Sequence, residues 1–282
     1  MKQPHLIDQI LKDLKIDNVN VKIKDPPAPS SKILTYHTSS ELFDRSFNYQ
    51  SVIGKLNYLE KSTRPDIAYA AHQCARFTED PRNKYAQSVR WLAKYLKGTR
   101  DKGLIINPNK HTGLEMFVDT DFSGNWKKEE SHKIDSARSR YGYIIRYNSC
   151  PIIWNSQLQS EIALSSTESE YIGISHGLCD AIPIMEILRE MKALGFPIET
   201  TTSKIYCRVF EDNSGAIEMA KVQKYCPCTK HVNVKYHHFR DYVDRGDVII
   251  NTIGTNEQPA DILTKPVNEN ILRKHRYFIM GW

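Results

Sequence analysis

The stretch Gly113–Phe122, GLEMFVDTDF, decides the fold. Read as an extended strand, it places Phe117, Asp119 and Asp121 on one face and Met116, Val118 and Thr120 on the other. The apolar run ends at Asp119. Asp is common at such a position for a simple reason, since its side chain bonds to nearby backbone where a strand gives way to a turn. Alone, Asp119 needs no chemistry; it acquires one only if other carboxylates converge on it.

The neighbouring segments supply the sheet. ARSRYGYIIRYN (Ala137–Asn148) and CPIIWNSQL (Cys150–Leu158) are two further short runs of strand character, separated by turn-length or loop-length segments and therefore read as antiparallel neighbours. The polar SGNWKKEESHKIDS between the first two reads as a surface loop. A long helix is expected from Thr167 to Leu194, with Ile174, Leu178, Ile182 and Met185 at helical spacing and a bend at Pro183. Strand KIYCRVFED, helix NSGAIEMAKV, helix YHHFRDYVDRG, strand DVIINTIG and a last short helix PADILTK complete the order. A helical crossover returns the fourth strand parallel to the first, which gives an α/β fold: a mixed five-stranded sheet with flanking helices.

Before this region the periodicity is helical. An opening helix around His5–Leu14 leads through the Pro- and Ser-rich VKIKDPPAPSSK into three short helical segments separated by Pro and Gly. Leu56 and Leu59, with Tyr58 beside them, are expected to face inward on the first. Ile67, Ala70, Ala71 and Cys74 do so on the second, and Val89, Leu92, Ala93 and Leu96 on the third, which Asp80-Pro81 is expected to start. Two domains follow: a mostly helical segment, 1–110, and an α/β domain, 111–282.

The chain has 282 residues, 40% hydrophobic and 26% charged, enough to bury a real core. No run approaches eighteen apolar residues and the N-terminus lacks a signal-peptide pattern, so a soluble, cytoplasmic protein with no membrane partner is expected. Cys74, Cys150, Cys179 and Cys207 are isolated and read as reduced core thiols. The excess of Lys and Arg over Asp and Glu, 39 against 33, is gathered in two places. The helical PRNKYAQSVRWLAKYLKGTRDK contains Arg90, Lys94 and Lys97, and KVQKYCPCTKHVNVKYHHFR contains Lys230 and Lys235. Each is either a solvated surface or a contact for a phosphate backbone.

Four carboxylates are candidates for chemistry. Asp119 ends the first strand and Asp212 the fourth, and ligand sites in open α/β sheets lie beyond the carboxyl ends of strands. Counting back in fours from Leu178 and Ile174 brings Glu170 to the sheet side of the long helix, whereas Glu168 falls on another face. Asp261 follows Pro259 at the last helix start. Four acids at one sheet edge repel each other unless cations sit among them. Hard ions, two Mg²⁺ with Mn²⁺ as a substitute, suit such donors. A pair of them would activate a water and stabilise a leaving oxygen in phosphodiester hydrolysis.

FVDTDFSG, IALSSTESEYIGI, VFEDNSGAI, TKHVNV and PADILTKP, in this order, resemble the ribonuclease H domain of copia-type retrotransposon polyproteins. YQSVIGKLNYLEKSTRPDIAYAAHQCARF and AQSVRWLAKYLKGTRDKGL are similar to the segment joining that domain to the reverse transcriptase, so the resemblance spans nearly the whole chain. It implies cleavage of the RNA strand of RNA–DNA hybrids, with Asp119, Glu170, Asp212 and Asp261 as metal ligands. It also implies palm and fingers elsewhere in the same polyprotein, and a place within virus-like particles. His231, His237 and His238 are candidates for an assisting His. The palm's YxDD motif does not occur and the chain begins too late for fingers and palm, so DNA synthesis by this chain alone is not expected. Three rival readings are an integrase- or transposase-type nuclease, a noncatalytic nucleic-acid-binding remnant, and a zinc site at Cys226, Cys228, His231 and His237. The C-x-C spacing disfavours zinc.

Overall fold

A computed structural model describes residues 1–17, 20–29, 34–35, 40–128, 134–198, 204–221 and 234–282, without the side chains of residues 135, 234 and 235. The helices are α1 (Pro4–Asp13), α2 (Tyr49–Ser62), α3 (Ala68–Ala75), α4 (Asn83–Gly98), α5 (Ile134–Ala137), α6 (Ser166–Ala193), α7 (Ser214–Lys221), α8 (Arg240–Asp244), α9 (Asp261–Thr264) and α10 (Glu269–Met280). The strands are β1 (Leu114–Asp121), β2 (Arg140–Tyr147), β3 (Cys150–Leu158), β4 (Cys207–Glu211) and β5 (Val248–Thr252). The chain forms two compact units. One comprises Met1–Ile106, Asn125–Ser136 and Lys265–Trp282; the other comprises Asn107–Gly124 and Ala137–Thr264.

The first unit is helical. Ile7, Ile10 and Leu11 of α1, Val52, Ile53, Leu56 and Leu59 of α2, Ala70, Ala71 and Cys74 of α3 and Val89, Leu92, Ala93 and Leu96 of α4 are all buried. Tyr58 is not inward: it points to solvent at 62% exposure, since it sits between Leu56 and Leu59 in sequence and off their stripe on the helix. The Asp80-Pro81 signal does not begin α4, which starts at Asn83; Asp80 instead pairs with Arg82 at 2.8 Å. Helix α10 continues the chain beyond PADILTK and belongs to this unit. It starts where Asn268 Oδ1 accepts from the Ile271 N–H at 3.0 Å, and it ends at Gly281, whose φ of 85° suits glycine.

The second unit holds the expected sheet, in the order β3-β2-β1-β4-β5. Strand β1 is central, antiparallel to β2 and parallel to β4, and β5 runs parallel to β4. One face carries Met116, Val118, Tyr143, Ile145, Cys207, Val209 and Ile250, and these pack with Tyr171, Ile174, Leu178, Ala181 and Met185 of α6 in one apolar core. Helix α6 lies close on this face because Gly173 and Gly177, one turn apart, have no side chains. A Cβ on Gly173 would fall 2.6 Å from Thr120 Oγ1, and one on Gly177 2.6 Å from Met116 Sδ. By length and composition α6 could cross a membrane, but this face is spent on the sheet. It remains an α-helix through Pro183. On the opposite face the Phe117 and Phe210 rings stack at 4.7 Å, and α9 packs over β2, where a Cβ on Gly142 would meet Leu263 at 2.6 Å. Cys74, Cys150 and Cys207 are buried free thiols as expected, whereas Cys179 is exposed.

Candidate metal centre

Three elements of the second unit deliver one carboxylate each. Asp119 comes from central strand β1, and Asp212 from the residue following the adjacent β4. Glu170 lies in the first turns of α6, on the same stripe as Ile174 and Leu178. One carboxylate oxygen from each lies within 4.8 Å of the others. Asp119 and Glu170 are buried, and Glu170 Oε2 has no hydrogen-bond partner among the described residues. Burial together with the charges of Glu211, Asp119 and Asp212 pushes the Glu170 carboxyl well above the ordinary glutamate range, against a hydrogen bond from Thr120. All-oxygen donors, mutual repulsion and an orphaned buried oxygen fit a hard divalent cation.

Of the two acids in ESE, Glu170 enters this group and Glu168 does not. Glu168 instead completes a capping arrangement at the start of α6. Ser165 Oγ accepts from the Glu168 N–H at 3.1 Å, and Glu168 Oε2 accepts from the Leu164 N–H at 2.7 Å. Asp261 lies outside the group of three. It is buried as the first residue of α9, where its carbonyl accepts from Thr264 Oγ1 at 3.3 Å. Thr264 Oγ1 also donates to Asp119 Oδ2, so the segment that carries Asp261 reaches the centre through a neighbour.

One acid here carries no signal of its own in the sequence. Glu211, fully buried, ends β4 immediately before Asp212, and its Oε1 accepts from the N–H groups of Asp212 at 3.1 Å and Asn213 at 3.0 Å. Its carboxyl is also pushed well above the usual range, first by burial and then by Asp212 and Asp119. The only available hint was its place in the strand: with Cys207 and Val209 it alternates onto the inward face.

Two of the three histidine candidates have partners outside the acidic group. His237 Nδ1 pairs with Tyr171 Oη at 2.6 Å, and His238 Nε2 with Cys179 Sγ at 3.4 Å. Burial lowers both imidazole pKa values, with Arg240 adding to the effect at His237. His231, Cys226, Cys228 and Lys230 lie outside the described residues, as does the side chain of Lys235. In the first unit the basic stripe is only half-exposed. Arg90 donates to Ser46 Oγ at 2.8 Å and lies over the Phe47 ring, Lys97 donates to the carbonyls of Ile16 and Asp17 at 2.9 and 3.0 Å, and Lys94 is half-buried.

No family model matches the chain. It is 34% identical over 222 residues to the retrovirus-related Pol polyprotein from transposon TNT 1-94 of Nicotiana tabacum, covering 79% of this chain and 15% of that one. To the Pol polyprotein from transposon RE1 of Arabidopsis thaliana it is 31% identical over 246 residues, 87% of this chain and 16% of the relative. The chain belongs to the Pol-polyprotein family of copia-type retrotransposons. It spans about a sixth of the length of these Pol relatives. Among solved structures, LC11-RNase H1 isolated from compost aligns with 54% of this chain and 92% of its own at 14% identity and a TM-score of 0.37.

The raised carboxyls give a testable linkage. A glutamate whose folded-state pKa lies above its unfolded value stabilises the fold below the unfolded value and loses that contribution as pH rises through the folded one. For Glu170 and Glu211 the loss begins above the ordinary value of 4.5. The metal-free chain is therefore expected to melt at progressively lower temperature as pH rises from 4.5 through the neutral range. Added Mg²⁺ should raise the melting temperature more at pH 8 than at pH 5, because cations bind the ionised ligands. Scanning fluorimetry across pH with and without Mg²⁺ checks both; a metal-free melting temperature that climbs over this range would refute the assignment.

Proposed function

We propose that the second unit is a divalent-metal-dependent ribonuclease that hydrolyses the RNA strand of RNA–DNA hybrids, working as one part of a retrotransposon Pol polyprotein in cytoplasmic virus-like particles. The observation that carries this reading is the convergence of Asp119, Glu170 and Asp212, from two parallel strands and the helix crossing between them, to within 4.8 Å. These three would hold the metal, with Asp261 as a further ligand on the closing helix. Mg²⁺ at such a site supplies water activation and stabilisation of the leaving oxygen.

The protein's own contribution is rigidity. Asp119 is fixed by the central strand and by Thr264, Glu170 by the packing of its helix face on β1, and Asp212 by the Glu211 carboxylate behind its backbone. Recognition of a hybrid requires contact with 2′-hydroxyls on one strand and with a DNA backbone on the other. Arg90, Lys94, Lys97, Lys230 and Lys235 are the candidate phosphate contacts. Since Arg90 and Lys97 already serve internal partners, replacing either should cost stability as well as affinity.

The test presents labelled RNA–DNA hybrid, duplex RNA, duplex DNA and single strands to the chain with Mg²⁺. Cleavage of the RNA strand of the hybrid is expected, and Glu168→Gln should cut at the native rate because a glutamine still caps α6. Equal cutting of duplex DNA would move the reading to an integrase-type nuclease, and binding without cutting to a noncatalytic module.

A further inference from the structure

The β1–β4 seam changes character at the centre. Paired residues run from Leu114 opposite Cys207 to Phe117 opposite Phe210, and there the ladder stops, just short of Asp119 and Asp212. Beyond it, side chains take over the backbone groups. Gln258 Nε2 donates to the Val118 carbonyl at 2.8 Å and to the Phe210 carbonyl at 3.2 Å. Its Oε1 accepts from the Ala260 N–H at 3.4 Å, which fixes the amide orientation: a flipped amide would set oxygen against two carbonyl oxygens. On β4, the Asp212 and Asn213 N–H groups turn to the Glu211 carboxylate. Gln258 is fully buried.

We infer that Gln258 is a positioning residue for the metal centre, a side-chain bridge that sets the spacing of β1 and β4 where Asp119 and Asp212 leave the sheet. The inference rests on the metal-site reading above. Asp119 follows the bridged Val118 directly, and Asp212 lies two residues past the bridged Phe210, so the reach of one amide fixes how far apart the two carboxylates stand. Leucine at this position would fill the volume and orphan both carbonyls. Asparagine would keep the donor but stop one methylene short of holding both. Gln258 therefore acts through backbone geometry, and its loss should appear in metal affinity rather than in folding alone.

The experiment measures Mn²⁺ binding by the full chain, counting free ion by electron paramagnetic resonance, beside melting temperatures without metal. Gln258→Leu is expected to weaken Mn²⁺ binding by about tenfold or more, the range usual for partners behind metal ligands, with Gln258→Asn between it and the native chain. Met185→Ala, buried in α6 about 22 Å from Glu170 along the helix axis, is the stability control and should lower the melting temperature while leaving Mn²⁺ affinity unchanged. Native affinity in folded Gln258→Leu would overturn the inference while leaving the metal site intact. If that variant does not fold, native affinity in Gln258→Asn overturns it equally. If the native chain takes up no Mn²⁺, or Asp119→Asn binds it as well as the native chain does, the metal-site reading falls and the bridge falls with it.

Discussion

Asp119→Asn is expected to abolish hybrid cleavage without unfolding the chain. Asparagine keeps the volume and can still accept the Thr264 hydroxyl with its amide oxygen, so the hydrogen bond that fixes residue 119 survives. The negative charge does not. Without it, Glu170 and Asp212 offer a weaker field to a divalent ion, and the stabilisation of transition-state charge, several kcal/mol, is lost with the ion. At about 1.4 kcal/mol per decade, a loss of roughly 4 kcal/mol is a fall on the order of 10³-fold. The metal-free fold should gain stability, because one member of the mutually repelling acids is gone and the new amide can donate to Glu170 or Asp212. Glu170→Gln and Asp212→Asn should behave alike. Cleavage rates with Mg²⁺ and metal-free melting temperatures check the pair of effects, and near-native cleavage by a folded Asp119→Asn chain would remove this carboxylate from the mechanism.

What could be read from the sequence was whatever depends on local spacing. Alternation gave the strand character of GLEMFVDTDF and CPIIWNSQL, and the step of four from Leu178 through Ile174 selected Glu170 over Glu168. Features resting on distant partners were not legible. Gln258 makes its bonds to residues 140 and 48 positions away, and no local pattern marks a glutamine that splices two strands. Counting charge over Arg90–Lys97 identified a basic stripe but not the loop carbonyls of Ile16 and Asp17 that Lys97 serves. Helix α10 is hidden in the sequence for a related reason. Its buried face includes His275 and Arg276 beside Leu272, Ile279 and Met280, so its apolar stripe is broken by residues that read as surface. Arg276 is inside because a polar network waits for it.

That network carries the second large expected effect. Arg64 and Asp66, both with fully buried side chains, form a two-pronged ion pair with both bonds at 2.8 Å. Arg64 also donates to the carbonyl and hydroxyl of Thr99 at 3.1 and 2.7 Å, and Tyr95 Oη donates to Asp66 Oδ2 at 2.6 Å. From α10, Arg276 Nη1 donates to Tyr95 Oη at 2.9 Å, which ties residues 181 positions apart into one cluster. Arg64→Met keeps most of the stem volume but leaves the Asp66 charge buried opposite a single hydroxyl among the described residues, that of Tyr95. Removing one partner of a buried pair in this way costs about 3–5 kcal/mol, a large part of the roughly 5–15 kcal/mol that holds an ordinary domain together. The double variant Arg64→Met with Asp66→Leu removes both charges, so it is expected to lose less than the sum of the two single changes and to unfold later in urea than Arg64→Met alone. Urea midpoints for the two single variants and the double variant measure the coupling. Strict additivity, or a cost below about 1 kcal/mol for Arg64→Met, the range of exposed pairs, would show that the pair contributes no more than a surface salt bridge.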